Sequence, residues 1–152
     1  MRILGNKKIF LEVDDSHIEV DLVPIRLCIM GNYIGTLDSG TYMPSFIGAL
    51  KDILEKDFYY SQFVNDSNFK SFFYGEGELC DAFRVTLEET FDDFNKRVVR
   101  NDKDIYFTWF LYAEHFFNYP DNIEEKIVFS KCSCDDLQEL INDLNKWWLL
   151  EK

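Results

Sequence analysis

Apolar and polar positions alternate with period two through much of residues 8–37. Ile9, Leu11 and Val13 are interleaved with Lys8, Phe10, Glu12 and Asp14. After Asp15-Ser16-His17, which supplies a turn, Ile18, Val20 and Leu22 alternate with Glu19 and Asp21. Period two sends one set of side chains to each face of a strand, so these runs predict half-buried strands. Pro24 cannot donate to a ladder and marks a bend or bulge. Ile25, Leu27 and Ile29 resume the pattern, and Gly31-Asn32 is a two-residue hairpin signal before Tyr33-Ile34. The expectation is an antiparallel meander closed by Asp38-Ser39-Gly40.

The period then changes to 3.6. Phe46, Ala49, Leu50, Ile53, Leu54 and Phe58 fall on one side of a helix, with Lys51, Asp52, Glu55 and Lys56 on the other. Pro44 suits the first turn, where its missing N–H costs nothing. This predicts an amphipathic helix over about 44–58. Further on, Phe69, Phe72 and Phe73 have helical spacing, and Gly75 can end a short helix whose rings plug a core edge.

Residues 82–100 admit two readings. Phe91, Phe94 and Val98 are spaced as on a helix, yet Asp102-Lys103 looks like a turn that would let a strand over 93–100 pair with residues 105–114. The strand is the preferred reading. Residues 106–119, beyond that turn, read YFTWFLYAEHFFNY. As a strand this stretch puts Phe107, Trp109, Leu111 and Ala113 on one face and Tyr106, Thr108, Phe110, Tyr112 and Glu114 on the other. Apolar groups on both faces predict a central strand covered on both sides. Glu114 and His115, adjacent in that strand, would point to opposite faces and could not act on one substrate. A last strand over 127–132 leads to a helix over about 135–149, with Leu137, Leu140, Ile141, Leu144 and Trp148 as its stripe. Ser133 and Asp136 resemble a capping box at its start. Strands and helices are thus expected in one domain over residues 1–152. Its fold class is α+β, a mostly antiparallel sheet with two principal amphipathic helices.

Composition agrees with such a core. Apolar residues make up 47% and charged residues 29% of the 152 positions, a globular balance, and 15 phenylalanines supply large buried areas. No apolar run reaches the roughly 18 residues of a membrane span. MRILGNKKIF lacks the apolar region of a signal peptide, which predicts a cytoplasmic protein. Four cysteines, Cys28, Cys80, Cys132 and Cys134, then read as reduced and structural. Cys132-Ser133-Cys134 is at most half a metal site, since no second pair sits at ligand spacing.

Charge changes the picture more. Sixteen Lys plus Arg against 28 Asp plus Glu give a net charge of −12. That field repels nucleic acid and anionic membranes and attracts basic partners. No Gly-rich phosphate loop, nucleophile elbow or H-E-x-x-H appears. His17 among Asp14 and Asp15 reads as a solvated turn histidine. No catalytic residue, cofactor or metal is expected, and an enzyme would need an unrecognised site around His17 or His115. The densest acidic cluster is Glu88, Glu89, Asp92 and Asp93. It is either a solvated face or the surface that meets a cationic partner.

Two segments, GNYIGTLDSGTYMPSFIGALKDIL and FDDFNKRVVRNDKDIYFTWFLYAEHFFNYPD, carry a resemblance. The features are the glycines Gly31 and Gly35 before the first helix, the strand Phe107-Thr108-Trp109, and the ending Phe116 to Pro120. The chain resembles bacterial immunity proteins, the cytosolic antidotes of polymorphic and contact-dependent growth inhibition toxins, and in particular the immunity protein 42 family. The resemblance implies a non-enzymatic protein that binds and neutralises a cognate toxin domain. The acidic charge points to a basic, nuclease-type toxin. A small acidic adaptor without a toxin partner is the alternative.

Overall fold

A computed structural model describes residues 1–151. Strands β1 (Arg2–Gly5), β2 (Ile9–Val13), β3 (Leu22–Ile29) and β4 (Asn32–Tyr42) form an antiparallel sheet in chain order. Helix α1 (Met43–Glu55) follows directly. A short helix α2 (Phe69–Phe72) and a two-residue hairpin, β5 (Tyr74–Gly75) with β6 (Glu78–Leu79), lead to the second sheet. That sheet is β7 (Phe94–Arg100), β8 (Asp104–Leu111) and β9 (Val128–Ser133), antiparallel with β8 central. Helix α3 (Cys134–Glu151) closes the chain against β1, β2 and α1. The architecture is α+β, as the periodicities predicted.

The meander forms where the alternation placed it, with corrections at its turns. Ile9, Leu11 and Val13 lie opposite Ile29, Leu27 and Ile25, and all six are buried on the inner face. Pro24 sits at the register shift between Val23 and Ile25, the bulge its missing donor required. The hairpin turn is one residue earlier than predicted: Ile29 faces Asn32, so Met30 (φ +51) and Gly31 (φ +83) are its central pair. Residues 18–21 are not a strand. Val20 has φ +55 and is 90% exposed, and Glu19 and Leu22 exchange both backbone bonds around it. Asp38-Ser39-Gly40 does not end the meander, because β4 continues to pair Thr41 with Val23 and Tyr42 with Leu22. Phe58 falls outside α1, in an exposed 3₁₀ turn at Asp57–Tyr59.

β7 is a strand, and it pairs across the predicted turn, Phe94 opposite Leu111 and Arg100 opposite Ile105. β8 is covered on both faces. Ile105, Phe107, Trp109 and Leu111 join the main core with Leu27, Ile29, Phe46, Leu50, Leu140 and Leu144. On the opposite face Tyr106 meets Phe69, stacked at 4.8 Å, and Phe73 and Val99 in a second, smaller core. The three phenylalanines around α2 therefore plug the outer face of this sheet. At the start of α3 the Asp136 N–H donates to Ser133 Oγ and the Ser133 N–H to Asp136 Oδ2, both at 3.0 Å. This is the reciprocal cap that the spacing predicted.

Candidate partner-binding groove

The acidic cluster is set on the molecule by two buried residues in its middle. Thr90 and Phe91 belong to a 3₁₀ turn, Glu89–Phe91, that packs on β4. The Phe91 ring stacks on Phe46 of α1 with centroids 5.5 Å apart, and the Thr90 hydroxyl bonds that of Thr41. Gly35 makes room for the ring: a Cβ there would stand 2.7 Å from Phe91 Cε1. With both central side chains inward, Glu88, Glu89 and Asp92 turn outward. Just before them, buried Leu87 takes φ +61, a left-handed conformation that costs a leucine about 1 kcal/mol and redirects the chain.

These three carboxylates and Asp52 line a groove of about 740 Å³ whose other wall is the outer face of α1. Ser45, Gly48 and Ala49 leave that wall shallow because their side chains are small. Among the described residues none of the four carboxylates is in an ion pair. The groove is thus lined by four carboxylates, with the buried Lys96 ammonium acting on Asp92 alone among them. Asp52 escaped the sequence reading. The sequence places Asp52 on the polar side of the helix with Ser45 and Gly48 at helical spacing, whereas Ala49, which it places in the apolar stripe, lines the groove instead.

Asp93 turns away from the other three. Its carboxylate accepts the N–H groups of Phe116 (3.0 Å) and Phe117 (3.1 Å) and the hydroxyl of Tyr119 (2.7 Å). Burial raises the Asp93 carboxyl, but the Tyr119, Phe116 and Phe117 donors outweigh it and hold the group below its ordinary value. These bonds belong to a loop, because β8 ends at Leu111 and Glu114 and His115 are not on a strand. His115 Nδ1 lies 2.6 Å from the Phe117 carbonyl and Nε2 lies 2.9 Å from Glu124 Oε1. Both ring nitrogens face acceptors, an arrangement that favours the protonated ring. The Glu124 bond first, and the Phe117 carbonyl next, raise the His115 pKa. His115 is a loop fastener.

His17 is exposed in its turn. Asp14 and Ser16 both bond its Nδ1, at 2.8 and 2.9 Å, and Ser16 Oγ also bonds Asp14 at 2.6 Å. A hydroxyl activated by a histidine needs serine and acid on opposite ring nitrogens. Here they share one, so the trio is a turn network. The four cysteines are free thiols; burial raises the pKa of Cys132.

No protein-family model and no curated protein sequence matches the chain. The expected membership of the immunity protein 42 family is therefore without support from a family match. A solved structure with the same fold is found. It is the crystal structure of CdiI from Burkholderia dolosa AUO158, with a TM-score of 0.56 over 96% of this chain and 99% of that chain. Sequence identity is 10%, so the likeness is one of fold. No helix among the described residues is long and apolar enough to cross a membrane.

Proposed function

We propose that this protein is a non-enzymatic immunity protein that binds and neutralises the toxin domain of a contact-dependent inhibition system in the cytosol. The observation that carries the proposal is the fold correspondence with CdiI over 96% of this chain and 99% of that chain. The residues behind the resemblance serve the fold. Gly31 and Gly35 both adopt positive φ, and the aromatic strand is the core of the second sheet.

The groove of Asp52, Glu88, Glu89 and Asp92 is the surface proposed to meet the toxin. A net charge of −12 and four unpaired carboxylates fit a basic partner, such as a nuclease whose own surface is built for phosphates. Coverage of that surface by an acidic protein blocks the substrate without any chemistry. The charges act at long range and speed encounter before the toxin reaches its target.

The test is co-expression with the C-terminal domain encoded by the reading frame immediately upstream. A stoichiometric complex that restores growth is the expected result. Replacing Asp52, Glu88, Glu89 and Asp92 by lysine should lower the association rate at 0.1 M salt and much less at 1 M, where the Debye length falls from about 10 Å to about 3 Å. A complex without growth protection would favour the adaptor reading. Absence of any complex would overturn the proposal.

A further inference from the structure

The loop between β8 and β9 is closed at its base. Glu124 bridges Leu111, the Glu125 N–H donates to the Leu111 carbonyl at 2.7 Å, and the Ala113 N–H donates to Glu125 Oε1 at 2.9 Å. Compact loops with joined ends are frequently functional. Its middle is pinned as well: Asp93 takes the Phe116 and Phe117 N–H groups and Tyr119 buries its ring edge-on against Phe94. Further along, the Arg26 guanidinium donates to Asp121 at 2.6 Å and the Asn122 amide donates to the Tyr33 carbonyl at 2.9 Å.

Within this pinned loop one large ring is left in solvent. Phe116 is 86% exposed, although its own N–H is held by Asp93 and the next ring, Phe117, packs on the core. A flexible loop could fold such a ring away. This one cannot, because the backbone on both sides is fastened. We propose that Phe116 is the apolar anchor of the partner interface, inserting into a pocket on the same basic protein that the acidic groove attracts. The proposal rests on the toxin-binding reading above. Two observations specify the occupant. Asp92 lines the groove and the next residue, Asp93, holds the Phe116 N–H, so one short segment of chain carries both features even though the Asp93 carboxylate faces away from the groove. The loop around the ring carries the exposed acids Glu114 and Glu125, with Glu124 paired to His115, so the rim of the receiving pocket is cationic.

The arrangement divides the work of binding. Rim carboxylates govern the rate of encounter, while a pre-positioned aromatic that becomes fully desolvated governs how long the complex lasts. Phe63 is the natural control. It is 71% exposed and stands in the segment beside Arg100, at the other end of β7 from Phe94. At about 3.4 Å per residue the two ends of that pairing are roughly 20 Å apart.

The experiment measures association and dissociation rates of the full chain with the upstream toxin domain for wild type, Phe116→Ala, Phe63→Ala and the four-lysine groove variant. Phe116→Ala should raise the dissociation rate at least tenfold with association within twofold of wild type and an unchanged melting temperature. Phe63→Ala should change neither rate. If the groove variant slows association but Phe116→Ala dissociates like wild type, the anchor is overturned and the toxin-binding reading stands. Equal acceleration by Phe116→Ala and Phe63→Ala would also overturn it. If wild type does not bind at all, both fail.

Discussion

Asp93 accepts the Tyr119 hydroxyl at 2.7 Å, and through that bond the edge of β7 is tied to a loop 26 residues further along the chain. Three donors converge on the one carboxylate, two from the main chain and one from a buried tyrosine. Asp93→Ala strands them, so a loss of about 2–4 kcal/mol is expected. The sign with pH follows from the depressed carboxyl. Its contribution is full above the ordinary aspartate value near 3.8 and fades as pH falls through the lower, folded value. Urea midpoints should therefore separate wild type from Asp93→Ala widely at pH 7 and far less in strong acid. A gap that stays constant down to the acid transition would show that the carboxylate's charge is not what holds the loop.

Trp109 tests the core. Its indole is 2% exposed, flanked by Phe107 and Leu111 on the inner face of β8, and its Nε1 has no hydrogen-bond partner among the described residues. Its contribution is then packing. Trp109→Ala is expected to cost about 3–5 kcal/mol, and Trp109→Phe, which keeps a ring and removes the orphaned N–H, clearly less. An unchanged denaturation midpoint for the alanine variant would mean that the ring does not fill this core.

How far the sequence could be read depends on how local the causes are. The inner face of the meander and the stripe of α3 follow from periods of two and 3.6 and appear where expected. Residues 94–100 were legible as a strand through the Asp102-Lys103 turn and their partner rather than through alternation, because polar side chains are buried on both faces: Lys96, Asn95 and Arg97. Alternation cannot show when every position is covered. β1 was missed because only Leu4 of its four residues is buried, and its pairing with β2 supplies the rest. Of the acidic cluster, the sequence shows four equal carboxylates. Only the fold separates Asp93, bonded to residues 23 to 26 positions away, from the three that face the groove.

Lys96 carries its own pH signature. The ammonium is buried and donates to the Phe91 and Phe94 carbonyls, at 3.0 and 3.3 Å. Burial lowers its pKa to about 8, against a smaller opposing pull from Asp92. Below pH 8 the group is charged in both the folded and the unfolded chain. Between about 8 and the ordinary lysine value the unfolded chain holds more protons, so stability rises with pH across that window, by roughly 3 kcal/mol at full titration. Above pH 10 the effect is opposed, since Tyr106 and Tyr119 are held neutral in the fold by burial and by Asp66 and Asp93. Comparing urea midpoints at pH 7 and 9.5, wild type should gain stability relative to Lys96→Met. Parallel changes in the two proteins would remove Lys96 as the cause.

Gly35→Ala probes the link between core and groove. Gly31 and Gly35 both sit at positive φ, but a Cβ at Gly31 meets nothing within 4 Å, whereas one at Gly35 meets the Phe91 ring at 2.7 Å. Gly31→Ala therefore suffers only the left-handed backbone, about 1 kcal/mol. Gly35→Ala adds a clash with a ring that is stacked on Phe46 and has little room to retreat, for a total of about 2–4 kcal/mol. The clash also has a direction. Phe91 is the pivot of the turn that carries Glu88, Glu89 and Asp92, so pushing it displaces three of the four groove carboxylates without altering any charge. Gly35→Ala should consequently slow association with the toxin domain while Gly31→Ala does not. Salt titration of the association rate checks the reason: a displaced patch gives a shallower salt dependence at the same net charge. Equal stability losses and equal association rates for the two variants would show that Gly35 serves the hairpin backbone alone, and that Phe91 does not set the position of the acids.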